Sequence, residues 1–508
     1  MSHRKADSRL ALSPPIPRAA ARGAGLARST GRPVAGLLRA PLRGLVSRYD
    51  KLRPVPQVDT WSAPLIGTGS GPSGARAALD RPFPPAGPGP AGPAAAIGPG
   101  PGGDRDLPGP RCLIVTSMLN TGGLQEVAAV LARRLPEFGL RTAVLDVRPD
   151  PAADGRPSGY LGQVLHSGGT EVHETDEAGA PAWIERWRPD VLAAHGALPG
   201  AVLATANVLG VPYVDTLHGM HDLFDADWRA EASRAARVSA IISVSELVRQ
   251  QYLAGNPGFP PARIVTIPNG VDEERRRGVD RATARHRLGL RDEYVFVSLS
   301  RHCLQKNTYG LLAAFGEMAR HRPEVHLVVA GKLSDARYGR RVLRLRESLP
   351  CRDRIHLRDH LAAPARLLAA ADGFVLDSFF EGWPLASMEA LYAGLPVVLS
   401  DMGGAREQVG DDSSRGYLVA NPLGDPLRVN WESMRIARYR PQPNQDELVT
   451  ALEKLVAGRH AYLRDRAQLA AESAARFRGE TCVARHAAVL QAVTAGAELP
   501  PLLGAHAI

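Results

Sequence analysis

The chain has 508 residues, enough for two or three domains, and its 44% hydrophobic content is ordinary for a globular protein. Its four cysteines lack CxxC or metal-ligand spacing, so neither a disulfide framework nor a zinc site is indicated and a reducing cytosol fits best. Most of the net charge of +10 lies in residues 1 to 110, which hold 15 Lys or Arg and 6 Asp. No aromatic residues alternate with these arginines, so a nucleic-acid partner is not indicated.

The first 108 residues are predicted to form a disordered tail. The stretch RPFPPAGPGPAGPAAAIGPGPGGDRDLPGP is too rich in Pro and Gly for helix or sheet, and its small apolar area cannot offset chain entropy. The first fifty residues are Arg-rich and acid-poor, as in a transit peptide or a membrane-surface segment, although a solvated tail has the same composition. No membrane span or signal peptide is indicated. We expect a cytoplasmic protein whose tail is compatible with peripheral membrane contact.

From residue 109 onward, apolar runs alternate with helical patterns. Strand candidates are CLIVTS, RTAVLDV, DVLAAH, YVDTLH, AIISVS and RIVTIP before residue 270, and YVFVSLS, VHLVVAG, RIHLRD, GFVLDS and PVVLSD after it. Such strands, separated by helices, predict parallel sheets covered on both faces. We expect two doubly wound Rossmann-like α/β domains facing across a cleft, over residues 109–283 and 284–475. Residues 476–508 are predicted to form a C-terminal helix and tail that pack back toward the first domain.

Ligands of open α/β sheets bind at the carboxyl ends of the strands, so motifs at strand ends are candidate sites. In the first domain, NTGG supplies Gly122 and Gly123, which permit close backbone approach to a phosphate or an acceptor. His218 ends the strand in VDTLHGMHD, with His195 and His221 as competing candidates. The DAD sequence at 225 to 227 has the form of a DxD metal motif, but three residues recur easily by chance and the strand context of such a motif is missing. We predict no metal.

In the second domain, SRHCLQK follows a strand and places Arg301 five residues before Lys306. Two cations on one strand-end loop can neutralise a diphosphate leaving group as charge develops on it. A solvated basic loop is the alternative.

The stretch FFEGWPLASMEALYAGLPVVLSD carries two glutamates eight positions apart, Glu381 and Glu389. Pro384 suits the first turn of a helix, so Glu381 falls in the preceding loop and Glu389 in the second turn. The backbone between Gly382 and Leu385, at the positive end of the helix, offers an anion site between the two carboxylates. Alternatively, Glu381 caps the helix and Glu389 pairs with a basic neighbour.

These motifs, together with TLHG, SVSELVRQQY, IPNGVD and VVAGK, resemble the retaining glycosyltransferases of family 4, also called glycosyl transferases group 1. The resemblance covers residues 111 to about 490. It implies the GT-B architecture and a nucleotide-diphosphate sugar as donor substrate, with an acceptor hydroxyl on the first domain and no cofactor. We expect a metal-independent enzyme, because Arg301, Lys306 and helix N–H groups can take the place of a cation at the diphosphate. The acceptor is not indicated.

The resemblance also implies roles for individual residues. Glu381 would contact the donor sugar and Glu389 the ribose hydroxyls, while Arg301 and Lys306 would neutralise the diphosphate. His218 would lie near the donor sugar and the Gly122 and Gly123 loop near the diphosphate. The backbone of the loop formed by Gly382, Trp383, Pro384 and Leu385 would face the diphosphate.

The sequence departs from the family pattern at Trp383, at His302 and Cys303, and in GDPLRVNWESMRIARYRPQPNQDE, which looks like an insertion. These departures leave the identity of the donor open. Two alternatives remain for the whole chain. One is a nucleotide-sugar epimerase of the same fold, which would need further acid and base groups around the sugar. The other is a non-catalytic sugar-nucleotide-binding protein.

Overall fold

The computed structural model describes residues 109–120, 122–152, 155–270, 280–359, 361 and 364–501. The tail predicted over residues 1–108 lies outside the described residues. Within the described ranges, no helix is both long and apolar enough to cross a membrane.

The first domain contains a seven-stranded parallel sheet with strand order β3-β2-β1-β4-β5-β6-β7. Its strands are β1 (Arg111–Thr116), β2 (Arg141–Val147), β3 (Glu171–Thr175), β4 (Val191–His195), β5 (Tyr213–Leu217), β6 (Ala240–Ser243) and β7 (Ile264–Thr266). The intervening helices are α1 (Gly123–Arg134), α2 (Tyr160–Ser167), α3 (Ala180–Trp187), α4 (Gly200–Leu209), α5 (Trp228–Ala235) and α6 (Glu246–Gly255). The strand order reverses between β1 and β4, which places a crevice at their carboxyl ends.

The second domain contains a six-stranded parallel sheet with the order β10-β9-β8-β11-β12-β13. Its strands are β8 (Tyr294–Leu299), β9 (Val325–Ala330), β10 (Ile355–Arg358), β11 (Gly373–Leu376), β12 (Val397–Ser400) and β13 (Gly416–Val419). Its helices are α7 (Arg281–Arg287), α8 (Thr308–Met318), α9 (Ala336–Ser348), α10 (Pro364–Ala370), α11 (Leu385–Tyr392), α12 (Ala405–Val409), α13 (Trp431–Ala437), α14 (Gln445–Ala457) and α15 (Arg459–Arg476). The predicted doubly wound fold is confirmed, and the switch point here lies between β8 and β11.

The last described helix, α16 (Gly479–Ala495), packs against the first domain. Its buried residues Val483, Ala487 and Leu490 share one core cluster with β1 and β4. The Gln491 side chain also donates to the Phe138 carbonyl at 2.8 Å. The chain therefore returns to the first sheet after completing the second.

A buried carboxylate fastens helix α7 to the second domain. Asp372, just before β11, accepts from Arg281 at 2.7 Å and forms ion pairs with Arg285 and Arg459 at 3.1 Å each. Because three guanidinium groups converge on one buried carboxylate, its charge is compensated where water is excluded. This cluster joins α7, the start of β11 and α15 into one domain.

Two fully buried histidines are held in the neutral form. Burial lowers the pKa of His302 to about 4, and the ring Nε2 lies 2.8 Å from the Arg358 carbonyl. Burial likewise lowers the pKa of His486, on α16, to about 4. Both values lie below the ordinary histidine pKa of 6.5, so the folded protein binds fewer protons than the unfolded chain between these limits.

We therefore expect the free energy of unfolding to decrease as the pH falls below 6.5, with each of the two histidines contributing about 1.4 kcal/mol per pH unit down to its folded-state pKa. Urea unfolding at about pH 7.5 and about pH 5.5 measures this loss. The variant His486→Met, which keeps most of the buried volume, should lose less stability over the same interval. Equal losses in both proteins would contradict a neutral, buried His486.

Candidate functional site

The loop between β11 and α11 meets the first domain at a contact between two backbones. Gly382 forms an antiparallel bridge with Gly219, and the Met220 N–H points to the Glu381 carbonyl at 3.4 Å. A Cβ atom on Gly382 would lie 1.7 Å from the His218 carbonyl oxygen, so only glycine fits here. The contact brings the strand-end loops of β5 and β11 together at the junction of the two domains.

Glu381 and Lys306 form an ion pair on this loop. The Lys306 Nζ donates to the Glu381 carboxylate, and the two side chains are 15% and 9% exposed. Lys306 ends a short 3₁₀ turn, Leu304–Lys306, after β8, which neighbours β11 in the sheet. Glu381 does not cap helix α11, because Pro384 occupies the N-cap position. A cation and a carboxylate thus stand side by side at the switch point.

Arg301 lies on the same loop as Lys306 but is exposed to solvent. Its guanidinium donates to the Gln305 side-chain oxygen at 3.2 Å. Gln305 in turn ties the two loops together, because its side chain donates to the Phe380 carbonyl at 3.2 Å and its carbonyl accepts from the Phe379 N–H at 2.9 Å. Arg301 is therefore exposed and bonded within its own loop, whereas Lys306 is paired with Glu381 across to the neighbouring loop.

The amino-terminal end of α11 faces the glycine loop of the first domain. A Cβ atom on Gly123 would lie 3.7 Å from the Leu385 side chain, and Gly122 is the N-cap of α1. The first N–H groups of α11 have no partners within the helix and carry its partial positive charge. Glu389 projects from the second turn and is half-buried. The loop between β11 and α11 therefore combines the Glu381 carboxylate with the backbone donors of α11.

The Trp383 side chain does not line this site. Its ring is 5% exposed, packs edge-on against Phe477 at 5.8 Å between centroids, and directs its Nε1 toward the Met388 sulfur at 3.4 Å. A Cβ atom on Gly404 would lie 2.0 Å from the ring. The tryptophan thus anchors the loop in the core of the second domain, and at this position only the backbone faces the glycine loop side.

His218 is paired with a second histidine. The His195 Nδ1 and the His218 Nε2 are 2.9 Å apart, so one ring nitrogen donates to the other. Burial, with the nearby His486 and His221, lowers the pKa of His218 to about 3, and burial lowers the pKa of His195 as well. At neutral pH, His218 is therefore an uncharged hydrogen-bonding group. Asp222 shapes the loop beside it by accepting from the Gly219 N–H at 2.9 Å.

The remaining polar candidates of the first domain have other roles. Asp227 caps helix α5 by accepting from the Arg229 and Ala230 N–H groups at 3.1 Å each. The His221 ring stacks on Phe380 at 5.4 Å between centroids. Across the described part of the chain, no group of three or more His, Cys, Asp or Glu side chains has the arrangement of a metal site.

A buried amide network that the sequence did not indicate lies directly behind Lys306. Asn307 donates to Asp377 and to Gln442 at 2.8 Å each, and Asn444 donates to the other Asp377 oxygen at 2.8 Å. Burial raises the pKa of Asp377 to about 7, although both asparagines lower it. Asn307 has a left-handed φ of 48°, and this strained residue is held in place by the network.

Two family models match the chain: Glycosyltransferase Family 4 over residues 121–275, and Glycosyl transferases group 1 over residues 280–428. Together they cover more than half of the sequence and meet at the junction of the two sheets. The fold and the strand-end site define a GT-B protein, and the chain belongs to glycosyltransferase family 4.

Several curated proteins are similar to the chain. A D-inositol 3-phosphate glycosyltransferase of Segniliparus rotundus is 30% identical over 46% of this chain and 56% of the relative. A glycogen synthase of Mycobacterium tuberculosis is 32% identical over 44% of this chain and 55% of the relative. The chain thus spans about half the length of these two relatives. A D-inositol 3-phosphate glycosyltransferase of Frankia alni is 28% identical over 61% of this chain and 84% of the relative.

Solved structures share the fold. A glycosyltransferase from Rickettsia africae has a TM-score of 0.62 at 14% identity, covering 76% of this chain and 98% of that protein. HepE from Anabaena, solved with UDP and glucose, has a TM-score of 0.57 at 17% identity, covering 74% of this chain and 98% of that protein. At these identities the likeness concerns the architecture.

If the Lys306 ammonium is the buried cation of an anion site, Lys306→Met should weaken the binding of inorganic pyrophosphate about ten- to a hundredfold, as expected for loss of a charge-assisted hydrogen bond. Isothermal titration calorimetry with pyrophosphate measures the effect. Arg464→Gln serves as the control, because it removes one positive charge from an exposed position of α15. Equal pyrophosphate affinities for Lys306→Met and the control would contradict the site.

Proposed function

We propose that the protein transfers a sugar from a nucleotide-diphosphate donor to an acceptor hydroxyl with retention of anomeric configuration. The observation that carries this proposal is the Lys306–Glu381 pair at the amino-terminal end of α11, in contact with the His218 loop of the other domain. A sugar diphosphate presents both of the chemical groups that this arrangement suits, an anion and a set of hydroxyls. Family membership and the UDP and UDP-glucose complexes of HepE support the same reading.

The bound donor would separate Lys306 from Glu381. Its diphosphate would attract Lys306 and accept from the first N–H groups of α11, with Arg301 closing from the exposed side. Glu381, released from Lys306, would then accept from hydroxyls of the sugar, and Glu389 from hydroxyls of the ribose. Because Lys306 and Glu381 would each exchange one partner for another, both charges would stay compensated before and after the donor binds.

In the chemical step, the bond between the sugar C1 and the diphosphate oxygen breaks and a bond from C1 to the acceptor oxygen forms on the same face. The acceptor proton passes to the departing phosphate oxygen. Lys306, Arg301 and the helix N–H groups stabilise the negative charge that develops on the diphosphate. His218 is neutral, and it would act here by hydrogen bonding to the sugar.

A divalent cation is not part of this proposal, since protein cations and helix N–H groups face the diphosphate. Activity should accordingly persist in excess EDTA. Activity that is abolished by EDTA and restored by Mg²⁺ or Mn²⁺ would contradict this part of the proposal.

A panel of UDP-, GDP- and ADP-sugars, screened by thermal shift, identifies the donor, because a ligand at about 100 times its Kd adds about 2.7 kcal/mol of stability. We expect one nucleotide class to stabilise the wild-type protein and to be released when an acceptor is added. NMR of the product should show the anomeric configuration of the donor. Inverted product would contradict retention, conversion of the nucleotide sugar without nucleotide release would favour the epimerase, and binding without turnover would favour a non-catalytic protein.

The two glutamates should differ in their kinetic roles. Glu389→Gln should mainly weaken donor binding, by the ~1.5 to 3 kcal/mol of a charged hydrogen bond that is made in both the ground and the transition state. Glu381→Gln should lower kcat more than it raises KM, because a misaligned sugar loses the advantage of proximity. Nucleotide release and calorimetry distinguish these effects, and unchanged parameters in both variants would make the glutamates structural.

A further inference from the structure

The segment between β13 and α14, which the sequence indicated as an insertion, is held by a local helix cap and by buried apolar side chains. It contains a 3₁₀ turn, Pro426–Arg428, and helix α13. Asn430 starts α13 with a reciprocal cap, accepting from the Ser433 N–H at 2.8 Å while its own N–H donates to the Ser433 hydroxyl at 2.9 Å. Val429 and Met434 are 3% and 0% exposed and fix the underside of the segment.

The far end of the insertion is locked to the donor-side loops. Gln442 and Asn444 belong to the buried amide network that holds Asn307 and Asp377. Asn307 follows Lys306 directly, and Asp377 begins the loop that carries Glu381. The position of α13 is therefore set by the same residues that set the ion pair.

Trp431, the first residue of α13, joins both domains through an aromatic cluster. Its ring centroid lies 5.6 Å from Phe224 of the first domain and 5.5 Å from Phe380 of the second, with interplanar angles of 88° and 89°. Phe224 and Phe380 are themselves 5.0 Å apart at 80°. Three nearly perpendicular rings hold one another in a fixed orientation through edge-to-face contacts.

Trp431 is exposed to solvent, whereas three other tryptophans are buried in the core. It is 37% exposed, whereas Trp183, Trp187 and Trp383 are 4%, 7% and 5% exposed. Phe380, the residue before Glu381, lies beneath it with 1% exposure. An exposed tryptophan whose ring is held against Phe380, the residue before Glu381, is suited to contact a ligand in the site.

We propose that Trp431 forms the wall of the acceptor subsite and stacks on the ring of a sugar acceptor. This inference rests on the proposed function and adds the acceptor class to it. A sugar ring suits the surroundings because it combines an apolar face with a rim of hydroxyls. The tryptophan supplies an apolar face. Exposed polar side chains are present on the same helix, at Glu432 and Arg435, and at His221, which stacks on the Phe380 ring that Trp431 also contacts. A lipid chain would instead require a continuous apolar surface.

The inference is tested with Trp431→Ala and Trp431→Phe in the full chain, with Ile436→Ser as the control. Ile436 is 53% exposed on the same helix and is not one of the three residues of the aromatic cluster. The probes are maltotriose and methyl α-D-glucopyranoside, titrated in the presence of saturating UDP and followed by NMR. Glycerol, which offers hydroxyls without a ring, is the comparison probe.

For the wild type, we expect binding of the ring probes but not of glycerol. Trp431→Ala should weaken ring-probe binding by at least about fivefold, and Trp431→Phe by less, as expected for a stacking contact. Ile436→Ser and the UDP affinity of all variants should be unchanged. If Trp431→Ala does not fold, the graded comparison of Trp431→Phe with Ile436→Ser decides the question.

Three results would overturn the inference. The first is UDP binding by the wild type without binding of either ring probe. The second is equal ring-probe affinity in the folded Trp431 variants and the wild type. The third is a lower melting temperature of Trp431→Ala with probe affinity retained, which would show that the aromatic cluster only stabilises the contact between the two domains. Failure of the wild type to bind any nucleotide sugar would instead contradict the proposed function itself.

Discussion

The contact between Gly382 and Gly219 is the constraint on which the rest of the site depends. Two parallel sheets present their strand ends to each other, but side chains would normally hold such loops several ångströms apart. Here two glycines let one backbone bridge the other. As a result, Glu381 on the second domain and His218 on the first lie on opposite sides of the same backbone contact. One apolar cluster continues through the contact, with Met220 and Leu223 packed among residues that include Phe379 and Phe380.

The electrostatics of the site follow from its burial. Lys306 and Glu381 compensate each other in the absence of a ligand, and the anion-binding end of α11 lies beside them. His218 contributes no positive charge at neutral pH, because burial and its histidine neighbours keep it neutral. The positive potential proposed to attract a diphosphate therefore comes from Lys306, from the amino-terminal end of α11 and from the exposed Arg301.

Much of the fold could be predicted because buried parallel strands have an unambiguous sequence pattern. YVFVSLS, for example, contains β8, and CLIVTS covers β1 except for its first residue. Pro384 correctly marked the start of α11. Strands β3 and β13 were missed, since EVHET and GYLV are short and lie at the edges of their sheets, and GYLV also begins with glycine. The close pairing of His195 with His218 follows from the adjacency of β4 and β5, which becomes known only with the strand order.

Other features of the site depend on contacts between distant parts of the chain. Asn307 and Gln442 are 135 residues apart, and nothing in either local sequence indicates that an insertion folds back to join them. Trp383 shows the opposite case: its position in a functional motif suggested a donor contact, but the large ring fills the core against Gly404 and Phe477. Motif position indicated which backbone lies at the site, whereas packing decided which side chains reach it.

The central claim is that the Lys306 ammonium leaves the Glu381 carboxylate and binds the donor diphosphate. The affinity of UDP for the Glu381→Gln variant tests this claim most directly. UDP lacks the sugar that Glu381 would bind, so removal of the carboxylate should only free Lys306 and remove a repulsive charge. Calorimetry should therefore show UDP binding to Glu381→Gln about fivefold more tightly than to the wild type, the equivalent of about 1 kcal/mol. The gain should disappear when Lys306→Met is added. Weaker or unchanged UDP binding by Glu381→Gln would contradict the account.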